Sequence, residues 1–155
     1  LDGMQSGLSW RIVLNKRPFF QKAFEKFDAK KISKFTDDDV DRLMNDKEII
    51  RNRRKIESVI NNAQKFLDTK KEFGSFDSYI WSFTDYNTMT NRFKNWDEIP
   101  STSEESENMS RDLKARGFTF VGPTVCYAFM QTIGMVNDHV VGCFRRQELK
   151  ETGLP

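Results

Sequence analysis

Arg116-Gly-Phe-Thr-Phe-Val-Gly-Pro-Thr124 decides the fold. Gly117 permits a left-handed backbone after one helix, and Pro123 suits the first turn of the next. Between them, Gly122 lets the chain approach a ligand with no side chain in the way. Upstream, Ser101-Thr-Ser-Glu104 is a capping-box pattern. It predicts a helix running to about Arg116, with Met109 and Leu113 turned inward and Gly117 as its stop. The helix that Pro123 opens is predicted to end at Gly134. Residues 104–134 thus read as a helical hairpin. The second helix points free N–H groups out of its first turn, and such an N-terminus binds anions, DNA phosphate among them. Thr124 adds a hydroxyl donor and Arg116 a cation. Contacts of this kind position a duplex without reading its sequence. An ordinary corner between two helices remains an open reading here, since Gly and Pro are common at these positions.

Outward from the hairpin the period is helical nearly throughout. Met4, Leu8 and Ile12 step by four, which predicts a helix ending near Arg17. Pro18 starts another, with Phe20, Ala23, Phe24 and Phe27 on one face. Thr36 caps a short helix carrying Val40, Leu43 and Met44. A long helix holds Ile49, Ile56, Val59, Ile60, Ala63 and Leu67, and a short one after Ser75 holds Phe76, Tyr79, Ile80 and Phe83. Residues 84–100 have no period and read as a loop. No alternating strand stands out. The expectation is one all-α domain over residues 1–155, without an internal linker.

Composition narrows the class. The 155 residues suit one domain, and 14 Phe enlarge a core whose apolar fraction is a modest 37%. A formal net charge of +2 allows nucleic acid without demanding it. Two Cys make no disulfide framework, so a reducing, cytoplasmic setting is expected. No apolar run is long enough to span a bilayer, and no membrane partner is expected. The chain opens Leu1-Asp-Gly-Met4 inside a helical pattern without an initiator Met, so an upstream segment is expected.

Asp138-His-Val-Val-Gly-Cys143 sets an imidazole and a thiol four apart, where both can face one ion, and His and Cys are zinc's preferred donors. A closed site needs four ligands. Beyond His139 and Cys143 the chain offers only Cys126 as a further N or S donor, because it has a single His. Either the remaining ligands lie elsewhere or the pair is bland. Asp138 beside it reads as a partner of His139 or a cap rather than a catalyst. Arg51, Arg53, Arg54 and Lys55 form a basic run that reads as a solvated face, with DNA backbone contact as the second reading.

Several blocks together resemble one family. Leu1-Asp-Gly-Met-Gln-Ser-Gly-Leu-Ser-Trp10, Ile49-Ile-Arg-Asn-Arg-Arg-Lys-Ile56, Ile99-Pro-Ser-Thr102, Arg116 through Tyr127, Phe129-Met-Gln131 and Val136 through Cys143 are similar, in order, to the DNA-3-methyladenine glycosylase I family. The resemblance implies an all-α helix-hairpin-helix DNA glycosylase with a structural zinc clasp. It implies removal of 3-methyladenine from alkylated double-stranded DNA by N-glycosidic hydrolysis, and a monomer. His139 and Cys143 would supply two zinc ligands, with a Cys and a His expected upstream of Leu1. The family's pocket Glu and Trp map to Asp2 and Trp10, and Asp2 is one methylene shorter than that Glu. Asp2 is therefore the expected catalytic and base-binding carboxylate, and Trp10 the expected base-binding aromatic. Without the resemblance, Asp2 reads as a helix-start carboxylate and Trp10 as a core aromatic. A non-catalytic hairpin DNA-binding module is the alternative function, and a zinc-stabilised interaction domain a third.

Overall fold

Helices carry most of the chain, as the apolar period predicts. The computed structural model describes the backbone of residues 1–152 and the side chains of residues 1–149. Its helices are α1 (Asp2–Gln5), α2 (Trp10–Asn15), α3 (Arg17–Ala23), α4 (Ala29–Ile32), α5 (Asp37–Asn45), α6 (Arg53–Phe73), α7 (Phe76–Trp81), α8 (Glu104–Ala115), α9 (Pro123–Thr132) and α10 (Phe144–Thr152). Among the described residues no helix is long and apolar enough to cross a membrane. The chain divides into two compact units, Leu1–Phe76 with Asp112–Val121, and Asp77–Arg111 with Gly122 onward.

The first unit is organised on the 21-residue α6. Its core joins Met4, Val13, Phe20, Phe24, Ile32, Leu43, Ile49, Ile56 and Ala63. Phe24 stacks on Phe20 and on Phe35, with ring centroids 6.0 and 6.3 Å apart. Rings of that size account for a core in a chain of modest apolar fraction. Thr36 caps α5 as its position predicts, through a capping box with Asp39. In the second unit Tyr79, Ile80, Met109, Tyr127, Met130, Met135 and Val136 are buried.

Four local predictions are corrected. The first helix is not continuous. Gly7 takes φ 76 and ends the turn after α1, and Ser9 caps α2, while the second break, at Lys16, falls where Pro18 predicts a new helix. Pro18 explains the second break, because it has no N–H to give back to Leu14. The long helix starts at Arg53, with the Asn52 side chain accepting from the Lys55 amide, so Ile49 lies before it while staying buried. The cap of α8 is displaced by two residues: Ser103 and Ser106 exchange amide-to-hydroxyl bonds of 2.8 and 3.3 Å, in place of Ser101 and Glu104. Finally, β1 (Met89–Thr90), inside the predicted loop, pairs in parallel with β2 (Val136–Asn137). Two-residue strands are too short to show alternation.

The hairpin's first half follows its prediction. The Gly117 amide donates to the Lys114 carbonyl and the Phe118 amide to that of Leu113, each at 2.9 Å. This is a Schellman stop, and its apolar partners Leu113 and Phe118 are both buried. Gly117 sits at φ 87, where a side chain is strained, while Gly122 sits at φ −63 with open space around it. Gly117→Ala is therefore expected to lower unfolding free energy by about 1–2 kcal/mol. Gly122→Ala is expected to cost less than about 1 kcal/mol. Urea melts of the two variants check the contrast, and equal losses would contradict it.

Candidate functional site

The block Asp2 to Trp10 folds as two short helices around a glycine turn. Asp2 opens α1 and is half-buried. Gly7 turns the chain, Ser9 caps α2 by accepting from the Ile12 amide at 3.4 Å, and Trp10 is the first helical residue. Trp10 keeps 39% of its surface exposed, so it is no core aromatic, and its indole is open to a ligand. Asp2 forms no ion pair among the described residues. A Cβ on Gly3 would stand 3.6 Å from that of Phe120, so α1 lies beside the hairpin turn.

Lys55 departs from its sequence reading. It belongs to the basic run but is only 6% exposed. Its ammonium donates to the carbonyls of Met4 at 2.9 Å and Ser6 at 2.5 Å. These lie at the C-terminal end of α1, whose last carbonyls have no partner within the helix. Burial pushes the Lys55 pKa down from its ordinary value. Arg53 is no spare cation either, since it pairs with Asp41 and with Glu57. Arg54 remains exposed.

Two neighbouring asparagines of α6 shape the hairpin turn. Asn62 accepts the Thr119 amide at 2.9 Å and donates to the Thr119 carbonyl at 2.8 Å, as a paired strand would. Asn61 donates to the Gly117 carbonyl at 2.8 Å. Phe120 follows at φ 55, a left-handed conformation that is costly for a bulky side chain and persists only where its surroundings dictate it. An open groove of about 520 Å³ runs between this turn and α6, lined by Arg54, Ser58, Asn61, Lys114 and Phe120 among others. Neither Asp2 nor Trp10 lines it.

Arg116, expected at phosphate, has its guanidinium committed within the protein. It pairs with Asp112 at 2.7 Å and Glu72 at 2.8 Å and lies 4.7 Å over the Phe73 ring. The two carboxylates hold its pKa above the ordinary value. Its place is to bind the end of α8 to α6. The start of α9 keeps its expected character. Gly122 is its N-cap with no side-chain cap bond, Pro123 has no amide, and Thr124 is exposed. The amides of the first turn thus have no acceptor from the cap residue.

Asp138 is buried and accepts from Asn91, Tyr127 and Gln131, each at 2.7 Å. It ties β2 to α9 and to the residue after β1. Burial, then the bond to Asp138, raises the Tyr127 pKa. Beside it, Cys143 Sγ lies 3.6 Å from His139 Nδ1. The buried Arg146 donates to the His139 carbonyl at 2.8 Å and fixes this turn. Zinc bonds of about 2.3 Å to sulfur and 2.0–2.1 Å to nitrogen, at a tetrahedral angle, place the two ligands roughly 3.6 Å apart. The pair fits one ion. Among the described residues no group of three or more His, Cys, Asp or Glu gathers for a metal, so Cys126 does not join the pair.

The residues that sequence reasoning missed are Lys55, Asn61 and Asn62. Their signal was a polar row on a helix otherwise read by its apolar residues: Lys55, Ser58 and Asn62 fall at i, i+3 and i+7.

The family model for methyladenine glycosylase matches residues 1–146. The chain is 43% identical over 143 residues to DNA-3-methyladenine glycosylase 1 of Escherichia coli (strain K12), covering 92% of this chain and 76% of that protein. It is also 43% identical to DNA-3-methyladenine glycosylase of Haemophilus influenzae, covering 92% and 77%. A crystal structure of 3-methyladenine DNA glycosylase I superposes with a TM-score of 0.90 at 42% identity, covering 92% and 79%. The Staphylococcus aureus enzyme, whose structure concerns recognition of 3-methyladenine, superposes with a TM-score of 0.91 at 29% identity, covering 94% and 77%.

The Tyr127–Asp138 pair gives a pH dependence with a definite sign. Because the folded state holds the Tyr127 proton more tightly, the stability it adds is complete below the ordinary pKa of 10.0 and declines as pH rises above that value. Tyr127→Phe is expected to flatten this alkaline decline. It should also cost about 1.5–3 kcal/mol at neutral pH, by removing a bond to a carboxylate. Unfolding measured from pH 7 to 11 checks both, and an unchanged alkaline slope would refute the assignment.

Proposed function

The chain belongs to the methyladenine glycosylase family, and we propose that it excises 3-methyladenine from alkylated double-stranded DNA. Water adds to C1′ of the sugar, the bond from C1′ to the base nitrogen breaks, and the free base and an abasic site result. The observation that carries this reading is the Asp2–Trp10 block, which sets a carboxylate with no ion pair among the described residues and an exposed indole on two adjoining helices.

A base inside a duplex must leave the stack first, at a cost of a few kcal/mol that is lowest for damaged bases. The alkylated adenine carries positive charge. Trp10 offers it an aromatic face worth about 0.5–2 kcal/mol. Asp2 accepts hydrogen bonds from the base edge and balances its charge. A cationic base is already a good leaving group, so binding and electrostatics suffice without a strong general acid. The uncapped amides at the start of α9, with Gly122 and Thr124, hold DNA phosphate. Gly117 and Arg116 serve by fixing the turn. The protein works as a monomer, in the cytoplasm.

His139 and Cys143 are proposed as two ligands of a structural zinc. The chemistry of the donors and their spacing support this, and two further donors would close the site. The ion would brace the turn between β2 and α10 and take no part in hydrolysis.

Release of labelled 3-methyladenine from methylated duplex tests the activity. Asp2→Asn and Trp10→Ala are each expected to lower kcat/KM by at least about tenfold, or roughly 1.4 kcal/mol. Unchanged excision by both variants would remove these residues from the site. Duplex binding without base release by the wild type would instead establish the non-catalytic DNA-binding module.

Metal content tests the clasp. One zinc per molecule is expected in a protein that includes the additional donors, and none in its Cys143→Ser variant. A metal-free protein with every donor intact and reduced would overturn the zinc assignment.

A further inference from the structure

We infer that Lys55 is a positioning residue for base recognition, acting through α1 rather than on the base or on DNA. This rests on the reading of Asp2 and Trp10 given above. Three observations carry it. The ammonium is buried while Arg54 beside it is exposed, so burial is particular to this position of the basic run. Both of its hydrogen bonds go to backbone carbonyls, of Met4 at 2.9 Å and Ser6 at 2.5 Å. No carboxylate pairs with it among the described residues.

The two acceptors sit where leverage over the site is greatest. α1 has only four residues, too few to hold its own shape. Asp2 is at one end and the acceptors of Lys55 are at the other, followed directly by Gly7, Ser9 and Trp10. A cation at the C-terminal end of a helix also meets the negative end of its dipole. Lys55 in turn sits in the first turn of α6, anchored by its amide to Asn52 and by its carbonyl to the Ser58 hydroxyl at 2.6 Å. A long helix thereby fixes a short one, and through it both base-binding side chains. Met4 of α1 is buried in the core, which fixes the remaining face.

Lys55→Gln keeps a neutral donor group, Lys55→Met keeps none, and Lys55→Arg retains a charged donor group. The readouts are the affinity for free 3-methyladenine, measured by equilibrium dialysis, and the affinity for undamaged duplex, which reports the hairpin. Lys55→Met is expected to bind the free base at least about tenfold more weakly, with Lys55→Gln between it and the wild type. Duplex affinity should change less than about threefold, and Lys55→Arg should recover most of the base affinity. Wild-type base affinity in folded Lys55→Met overturns the inference, as does an equal loss of base and duplex binding. Should the neutral variants fail to fold, the wild type decides. Saturating 3-methyladenine must slow solvent exchange of the Lys55 ammonium protons and the α1 amides, and unchanged exchange overturns the inference. Asp2→Asn and Trp10→Ala are run beside these variants. If they leave base binding intact, the reading of the pocket has failed. If they abolish it while Lys55→Met does not, only the role of Lys55 has.

Discussion

Amides and carbonyls that leave regular structure must find partners before they can be buried. In the first unit side chains of α6 supply several such partners. Lys55 takes two carbonyls at the end of α1, Asn61 takes that of Gly117, and Asn62 pairs with both backbone groups of Thr119. Further along, Glu72 and Phe73 hold Arg116. Each buried group left unpaired costs about 1–3 kcal/mol, against a total stability of roughly 5–15 kcal/mol for a domain. That cost applies to the carbonyls held by the buried Lys55, whereas Gly117 and Thr119 are exposed and the asparagine bonds there set the conformation of the turn. The row on α6 thus fixes two things at once, the helix bearing Asp2 and the turn bearing Phe120.

The second unit uses the same economy with the signs reversed. There a carboxylate collects donors. Asp138 has filled three acceptor positions of the roughly four that a carboxylate offers, and it is buried. A group so committed does not reach for a water or a sugar. It orders the segment around β2, which leads directly into His139. The turn that brings an imidazole and a thiol together is held by the Arg146 bond, by the bond from the Cys143 amide to the Val140 carbonyl at 2.8 Å, and by that from the Val141 amide to the Phe93 carbonyl at 2.9 Å.

What could be read from the sequence was whatever chemistry is local. The hairpin was legible because Gly117 and Pro123 impose backbone geometry within a few residues, and the stop at Gly117 uses only its own helix. Asp2, Trp10, His139 and Cys143 were legible as blocks of a family resemblance. The Asn62–Thr119 pair was not, because its partners are 57 residues apart and nothing in either segment names the other. Lys55 was misread for the same reason: a lysine in a basic run looks solvated until the chain from 1 to 10 returns to cover it. Arg116 looked available because the carboxylate of Glu72, 44 residues away, is invisible from the hairpin. The two-residue strands carry too little pattern for any period to register.

The direction in which Lys55 points bears on how the site treats charge. A lysine beside a binding carboxylate would neutralise it, and a cationic base would then find nothing to balance its charge. Here the ammonium is spent on backbone carbonyls, and Asp2 keeps its charge unpaired among the described residues. On the proposed reading, the positive charge sits on the base before the bond breaks and moves toward the sugar as it breaks. A carboxylate held at the base edge attracts the ground state more than the transition state, unless its hydrogen bonds strengthen as the base departs. In the proposed site Asp2 would select the lesion from ordinary adenine, which has no such charge, and would contribute less to the rate of the step that follows. That division suits a leaving group activated by its own alkylation.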